Sequence, residues 1–273
     1  CVPGNANGNV PEGKENCPMP TVIPRHVICC IGNWNDLDWI DHILQQPAFS
    51  SFELDRDFSQ MTPDDRMTDS FDASSDRVSP SMSAADRKAI ETHTAVAYLL
   101  SPPVHREHAI DVSGQALLLT AALLQSEAVA AKGESAGIAH GRTRWLELAR
   151  QFRHASVTAD TIAQGASLYQ AWVRRPIEDD EDRSFYSCGM HLLGEPDIEI
   201  ENSLDLADAL EWMDMLGLYL VGDRPARPPQ DNETFGFKQY DPGRTIRLQP
   251  CTRYATDDFM YNPYGCIRLL PNH

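Results

Sequence analysis

The chain has 273 residues, of which 42% are hydrophobic and 23% are charged, and its 40 acidic against 23 basic side chains give a net charge of -17. So acidic a chain is unsuited to holding nucleic acid or an anionic membrane, and we expect no nucleic-acid partner. The longest apolar run, around residues 116–124, is well short of the ~20 residues that cross a bilayer, so we expect no transmembrane segment.

Residues 1–24 are rich in proline and glycine and predict a flexible N-terminal arm, while residues 25–273 predict a single mixed α-β domain. The seven cysteines form an odd set without a repeating metal spacing, which favours a reducing compartment and a cytoplasmic location. The alternative is a periplasmic protein anchored by a lipid on Cys1, because a cysteine heading a flexible segment is typical of bacterial lipoproteins. In an exported protein the candidate disulfide pairs are Cys1 with Cys17 and Cys251 with Cys266.

The first elements are a predicted strand over residues 26–31 and a short amphipathic helix over residues 36–46. Residues 50–92 are polar, with ten acidic and five basic residues between Glu53 and Glu91, and predict a long excursion from the domain. We expect one strand in it near Phe52 and one helix, starting at Ser83, where Asp86 completes a capping box.

Residues 94–132 predict a strand, a long helix and a second strand in direct succession. Residues 94–101 are nearly all apolar and stop at a pair of prolines, residues 105–127 repeat apolar side chains at helical spacing, and residues 128–132 are again apolar. This order predicts a parallel pair of strands joined by a right-handed crossover.

The remaining chain alternates helices with short strands. We predict helices over 142–154, 158–173 and 204–221, a charged turn over 178–182, and strands over 184–193, 198–200, 234–237, 245–248 and 266–270. The fold class is therefore α+β with an α/β-like first half, in which helices pack on one mixed sheet and the C-terminal end is rich in strands.

The loop after the second central strand carries the candidate catalytic residues, which are Lys132, Glu134, Ser135 and His140. A lysine, a carboxylate and an imidazole beyond a strand end are suited to binding an anion or moving a proton. The segment 133–137 also spells Gly-x-Ser-x-Gly, but a nucleophile elbow needs a helix starting at the serine, and here the predicted helix begins only after His140. An ordinary polar turn explains the same residues.

Two other groups contain metal-ligand residue types: His105, His108 and Asp111, and Cys17, His26, Cys29 and Cys30. The first group lacks the His-Glu-x-x-His spacing of metal helices, and the second lacks a Cys-x-x-Cys pair. We therefore expect no metal site and no cofactor.

The segment 178–214 concentrates negative charge, with thirteen acidic residues against the single basic Arg183. It is either a solvated face or a docking surface for a basic protein, since complementary charge speeds association. The predicted partner-binding residues are Glu178, Asp179, Asp180, Glu181, Asp182, Asp197, Glu199 and Glu201.

Four motifs in fixed order, at residues 93–101, 131–140, 188–197 and 261–269, resemble a bacterial family of uncharacterised domains. Members of such families lie beside polymorphic-toxin or type VI secretion genes. The likeness runs from His26 to Leu270 and brings no catalytic residues with it. What it implies is a bacterial, toxin-linked context.

Together these observations predict an immunity or accessory protein that neutralises a basic toxin through the 178–214 segment and the 50–92 excursion. A basic toxin such as a nuclease has a positive cleft that an acidic inhibitor fits. The alternative is a secreted effector or a hydrolase, with its site in the 132–142 loop and a contribution from His191.

Overall fold

Within the residues that the computed structural model describes, the fold is α+β, as predicted, with seven α-helices and two sheets. These residues are 22–179, 181, 183–201, 204–227, 229–236, 243–258 and 260–271. The arm predicted for residues 1–24 therefore lies, up to residue 21, outside the described residues. None of the described helices is long and apolar enough to cross a membrane.

The strands are β1 (Val27–Gly32), β2 (Glu53–Gln60), β3 (Ala95–Leu100), β4 (Ala128–Gly133), β5 (Ile138–Ala139), β6 (Arg174–Asp179), β7 (Ser184–Cys188), β8 (Asp197–Glu201), β9 (Glu233–Gly236), β10 (Thr245–Cys251) and β11 (Cys266–Pro271). The α-helices are α1 (Asp38–Leu44), α2 (Met67–Ser75), α3 (Ala84–Glu91), α4 (Ala109–Gln125), α5 (Arg142–Val157), α6 (Thr161–Trp172) and α7 (Leu206–Gly222). Short 3-10 helices cover Arg106–His108, Glu134–Ala136 and Met190–Leu193.

The first sheet has the order β2-β3-β1-β4-β5, and every neighbouring pair in it is antiparallel. The predicted strand–helix–strand unit exists as β3, α4 and β4, but the prediction that β3 and β4 pair with each other is wrong. β1 lies between them and pairs with both. Because β1 is apolar on both faces, the centre of the sheet is the position that buries it best.

The second sheet has the order β6-β7-β8-β11-β10-β9 and is mixed, since β8 and β11 run parallel while its other pairs are antiparallel. The single predicted sheet is thus two sheets. Residues 178 and 179 belong to β6 rather than to a turn. The strand predicted over 184–193 ends at Cys188, because Gly189 has a φ of 117°, which turns the chain into the 3-10 helix that follows.

The predicted excursion over residues 50–92 is folded against the first sheet as one edge strand and two helices, one more helix than predicted. The helix start at Ser83 is confirmed, with reciprocal hydrogen bonds between Ser83 and Asp86. Helix α2 was missed because its sequence is polar, yet it buries Met67 and Phe71 beneath the sheet.

The largest apolar cluster contains residues of both sheets, among them Ile28 and Leu99 of the first and Ile198 and Ile267 of the second. Helices α4, α6 and α7 contribute to the same cluster. The adjacent thiols Cys29 and Cys30 are fully buried, as predicted.

Cys29 and Cys30 point to opposite faces of β1, and they lie in different apolar clusters. They therefore cannot ligate one ion, which excludes a zinc site formed by the group of Cys17, His26, Cys29 and Cys30. Cys17, another member of that set, lies outside the described residues.

A close approach between α6 and α7 gives the first testable prediction. A Cβ atom at position 217 would overlap the ring of Tyr169, whereas at position 222 it would lie 3.6 Å from the Ile162 Cα, an ordinary contact. We expect Gly217→Ala to lower the free energy of unfolding by about 1–3 kcal/mol through overpacking. Gly222→Ala on the same helix should change it by less than about 0.5 kcal/mol. Urea unfolding midpoints measure both variants, and equal midpoints would contradict the packing.

Candidate functional site

The four candidate residues of the 132–142 loop are directed to different parts of the molecule. Lys132 is 2% exposed, and its ammonium group donates to Ser70 Oγ and lies 3.0 Å from Glu134 Oε1. The same nitrogen is 5.6 Å from the ring centre of Phe71. Lys132 and Glu134 thus form one ion pair that holds α2 against β4.

Ser135 has a structural role at the start of β1. Its hydroxyl donates to the Arg25 carbonyl oxygen at 2.6 Å and accepts from the Val27 amide at 3.0 Å. The serine lies in a 3-10 helix, and α5 begins only at Arg142, so the Gly-x-Ser-x-Gly segment has none of the strand-to-helix geometry of a nucleophile elbow.

His140 is 4% exposed and packs edge-on against Trp145, with the ring centres 4.7 Å apart. Its Nε2 bonds with the Ala171 carbonyl oxygen at 3.2 Å, and burial lowers its pKa to about 4. A neutral imidazole in this position contacts neither Ser135 nor Lys132, so the loop does not assemble a nucleophile with a base.

The acidic segment 178–214 is largely neutralised within the protein. Asp197 and Glu199, predicted as partner-binding residues, are 8% and 3% exposed and so lie out of a partner's reach. Glu195 is also buried, with 2% of its surface exposed, and its Oε1 lies 3.0 Å from Arg106 Nη2. Asp208 and Glu211 of α7 both pair with Arg244.

The other predicted partner-binding residues have mixed positions. Glu178, Glu181 and Glu201 are exposed. Asp179 is half-buried and forms an ion pair with Arg253. Asp180 and Asp182 lie outside the described residues. The exposed part of the segment is therefore smaller than its sequence indicated.

A cavity of about 100 Å³ lies between the second sheet and residues 252–265, which connect β10 to β11. Asp197 lines it and accepts hydrogen bonds from Asn262 Nδ2 at 2.7 Å, Ser187 Oγ at 3.2 Å and the Met190 amide at 3.3 Å. Burial raises the pKa of Asp197 to about 7, although these donors act in the opposite direction. The cavity thus contains a carboxyl group that gains or loses a proton near neutral pH.

An exposed bulge interrupts β2 at the edge of the first sheet. Asp55 pairs with Tyr98 and Gln60 pairs with Val96, so residues 56–59 stand opposite the single residue 97. The Asp55 carboxylate accepts from the amides of Asp57 at 3.2 Å and Phe58 at 3.3 Å. These bonds hold the bulge in shape and leave the Phe58 residue 72% exposed.

The bulge lies in acidic surroundings. Residues 53–72 contain seven acidic and two basic side chains, and the two basic ones, Arg56 and Arg66, pair with Asp41 and Asp64. Met61, just beyond the strand, is 37% exposed. We call Glu53, Asp57, Phe58, Met61 and Asp65 the β2 surface.

Strand alternation would place Phe58 on the same face as the partly buried Leu54, so the sequence pattern did not reveal it. The sequence did contain one sign that this position is exposed, because two charged residues, Arg56 and Asp57, directly precede Phe58. By contrast, Asn262 and Cys266 at the cavity lie within the motif at residues 261–269.

Comparison with protein-family models, with curated proteins and with solved structures found no match to this chain.

The titration of Asp197 gives a second prediction. Between about pH 4 and 7 the folded protein holds a proton on Asp197 that the unfolded chain has lost, because an unfolded aspartate has a pKa near ~3.9. The folded state binds more protons in this interval, so the contribution of Asp197 to stability falls as the pH rises through it and stays low above about pH 7. We expect the Tm of the wild type minus that of Asp197→Asn to decrease from pH 4 to 7 and then to level off.

Thermal melts of both proteins across this range measure the two Tm values. Buried His26 and His140 change the stability with pH in the opposite direction, and the difference between the two Tm values cancels their contribution. Glu178→Gln, at an exposed carboxylate, is the control and should show a difference that does not vary in this way. A pH-independent difference for Asp197→Asn would contradict the raised pKa.

Proposed function

We propose that this protein binds and neutralises a basic protein partner, as an immunity or accessory protein of a bacterial toxin or secretion system. The observation that carries the proposal is Phe58, 72% exposed at the tip of a hydrogen-bonded bulge within an acidic edge strand. Aromatic side chains are enriched at the centre of protein interfaces and are common among their energetic anchors.

The construction of the bulge supports this role. The Ser59 hydroxyl donates to the Asp55 carbonyl oxygen at 2.5 Å and accepts from the Tyr98 amide at 3.1 Å, which ties the bulge to β3. The side chain of Phe58 is thus presented on a backbone fixed at both ends. A partner gains its contact area without the entropic cost of ordering a loop.

The charge on the β2 surface supports a basic partner. Asp57 and Asp65 are exposed, as are Phe58 and Met61 in the same stretch of chain, and the whole chain carries a net charge of -17. Like charge repels acidic proteins and nucleic acids, whereas a positive cleft is attracted over several ångströms. The exposed Glu178, Glu181 and Glu201 add to the attraction at longer range.

The same features protect the edge strand from self-association. An unpaired edge is a template for strand addition, and a bulge with flanking carboxylates is a common means of blocking it. Phe58 is therefore exposed on an edge whose backbone is unsuited to pairing with a second copy.

The alternative function, a hydrolase with its site in the 132–142 loop, has less support from the geometry. The Ser135 hydroxyl bonds with the backbone on both sides of His26, and its proton goes to a carbonyl oxygen. Lys132 is held by Ser70 and by its ion pair with Glu134.

The test compares variants of the tagged protein in pull-downs from the native cells, followed by titration of the recovered partner. Phe58→Ala should weaken binding by about 2 kcal/mol or more, roughly 30-fold, through loss of the anchor. Asp57→Lys should slow association and reduce its dependence on salt. The recovered partner should be basic.

Matched controls are Ile162→Ala, at an apolar residue that is 63% exposed on α6, and Glu127→Lys, at an exposed carboxylate after α4. Both should bind like the wild type, as should Glu134→Ala and His140→Ala if the loop has no role. Equal binding by wild type and Phe58→Ala would overturn the proposed surface, and loss of binding on reversing Glu178 and Glu181 instead would move the interface to the 178–214 segment.

A further inference from the structure

Cys251 and Cys266 face each other across the antiparallel strands β10 and β11. Their sulfur atoms and a carboxylate oxygen of Glu199 all lie within 4.8 Å of one another, and both thiols are free. Residues directly opposite in an antiparallel pair have Cα atoms about 4.5–5.5 Å apart, inside the ~4.4–6.8 Å range that a disulfide requires. A bond between the two sulfurs therefore needs side-chain rotation and little movement of the backbone.

The two thiols have different environments. Cys251 is half-buried, whereas Cys266 is 6% exposed. The Cys266 thiol, hydrogen-bonded to the Cys251 sulfur, lowers the pKa of Cys251, and the positive charges of Arg268 and Arg253 act in the same direction. The same hydrogen bond and burial raise the pKa of Cys266. A half-buried thiol of lowered pKa beside a buried thiol of raised pKa is the arrangement of a reactive and a resolving cysteine.

Three charged groups surround the pair, Glu199 and the two arginines that donate to it. Glu199 accepts from Arg253 NH1 at 2.7 Å through one oxygen and from Arg268 Nε at 2.6 Å through the other. The two guanidinium groups repel a divalent ion, and their charges lower the pKa of Cys251 while the charge of Glu199 raises it.

A cleft of about 390 Å³ gives access to the pair. Cys251 and Cys266 both line it, together with Tyr264 and Pro196. Cys188, buried on β7 of the same sheet, does not line this cleft and serves as an internal reference thiol.

We propose that Cys251 and Cys266 form a reversible dithiol–disulfide site, in which Cys251 attacks a small disulfide of the glutathione type and Cys266 resolves the adduct. The Cys251 thiolate attacks one sulfur of the oxidant, forms a mixed disulfide and releases one thiolate. Cys266 then gives up its proton and attacks the Cys251 sulfur, which releases the second thiol. The protein thiols lose two electrons in total, and the small disulfide is reduced to two thiols.

The disulfide would join the two ends of the segment that connects β10 to β11. This segment carries Arg253 and Asn262, which line the cavity with Asp197. A loop of this size should raise the Tm by about 5 °C on oxidation. The inference does not depend on the proposed function, because it concerns two thiols of the second sheet, whereas the β2 surface lies on the first.

The experiment equilibrates the 273-residue chain in glutathione buffers of increasing oxidised fraction, followed by alkylation and peptide mass mapping. The wild type should form a Cys251–Cys266 disulfide that dithiothreitol reverses. Cys266→Ser should accumulate a glutathione adduct on Cys251, and Cys251→Ser should leave Cys266 unmodified. Cys188→Ser should behave like the wild type.

Three outcomes would overturn the proposal. Both thiols could remain open to alkylation in fully oxidised buffer. The two single variants could form the glutathione adduct equally fast, on Cys266 in Cys251→Ser and on Cys251 in Cys266→Ser. Cys251 would then not be the preferred attacking thiol. One equivalent of Zn²⁺ could bind the reduced protein and protect both thiols, which would make the pair a metal site.

Discussion

The hydroxyl group of Ser113 in α4 joins the two halves of the fold. It donates to the Leu192 carbonyl oxygen at 2.6 Å and bonds with His26 Nε2 at 2.8 Å, while the Ser113 carbonyl oxygen accepts from Trp172 Nε1 at 3.1 Å. A hydroxyl has one proton, so His26 must be the donor and must carry its hydrogen on Nε2. Burial holds the pKa of His26 at about 3, which keeps the imidazole neutral.

This network connects the strand β1, the helices α4 and α6 and the turn that precedes β8. Each partner is buried, so the loss of one would leave the others without a hydrogen bond, at a cost of about 1–3 kcal/mol for each group. Trp172 completes the arrangement by packing against His26 and Trp145, with ring centres 4.6 Å and 5.1 Å away. These contacts act together with the apolar cluster that both sheets share in fixing the second sheet relative to the first.

Part of the acidic character of the chain lies in the interior, and the rest is exposed. Strand alternation directs Ile198 and Ile200 to the apolar core and Asp197 and Glu199 to the other face of β8, where residues 252–265 cover them. Arg253 compensates this buried charge, pairing with Asp179 and Glu199. The exposed carboxylates, those of the β2 surface among them, are the ones available to a partner. The thiols of Cys251 and Cys266 lie beside Glu199 and the two arginines that pair with it.

The sequence by itself determined most of the helices and strands, since apolar spacing and capping residues act locally: α4, α7 and the Ser83 cap are clear examples. It also determined the fold class and the burial of Cys29 and Cys30. Only the tertiary structure decided that β1 separates β3 from β4 and that the strands form two sheets, because pairing joins residues far apart in the chain. It likewise decided which acidic residues meet an arginine, and it turned Phe58 outward through a bulge that breaks the period of the strand.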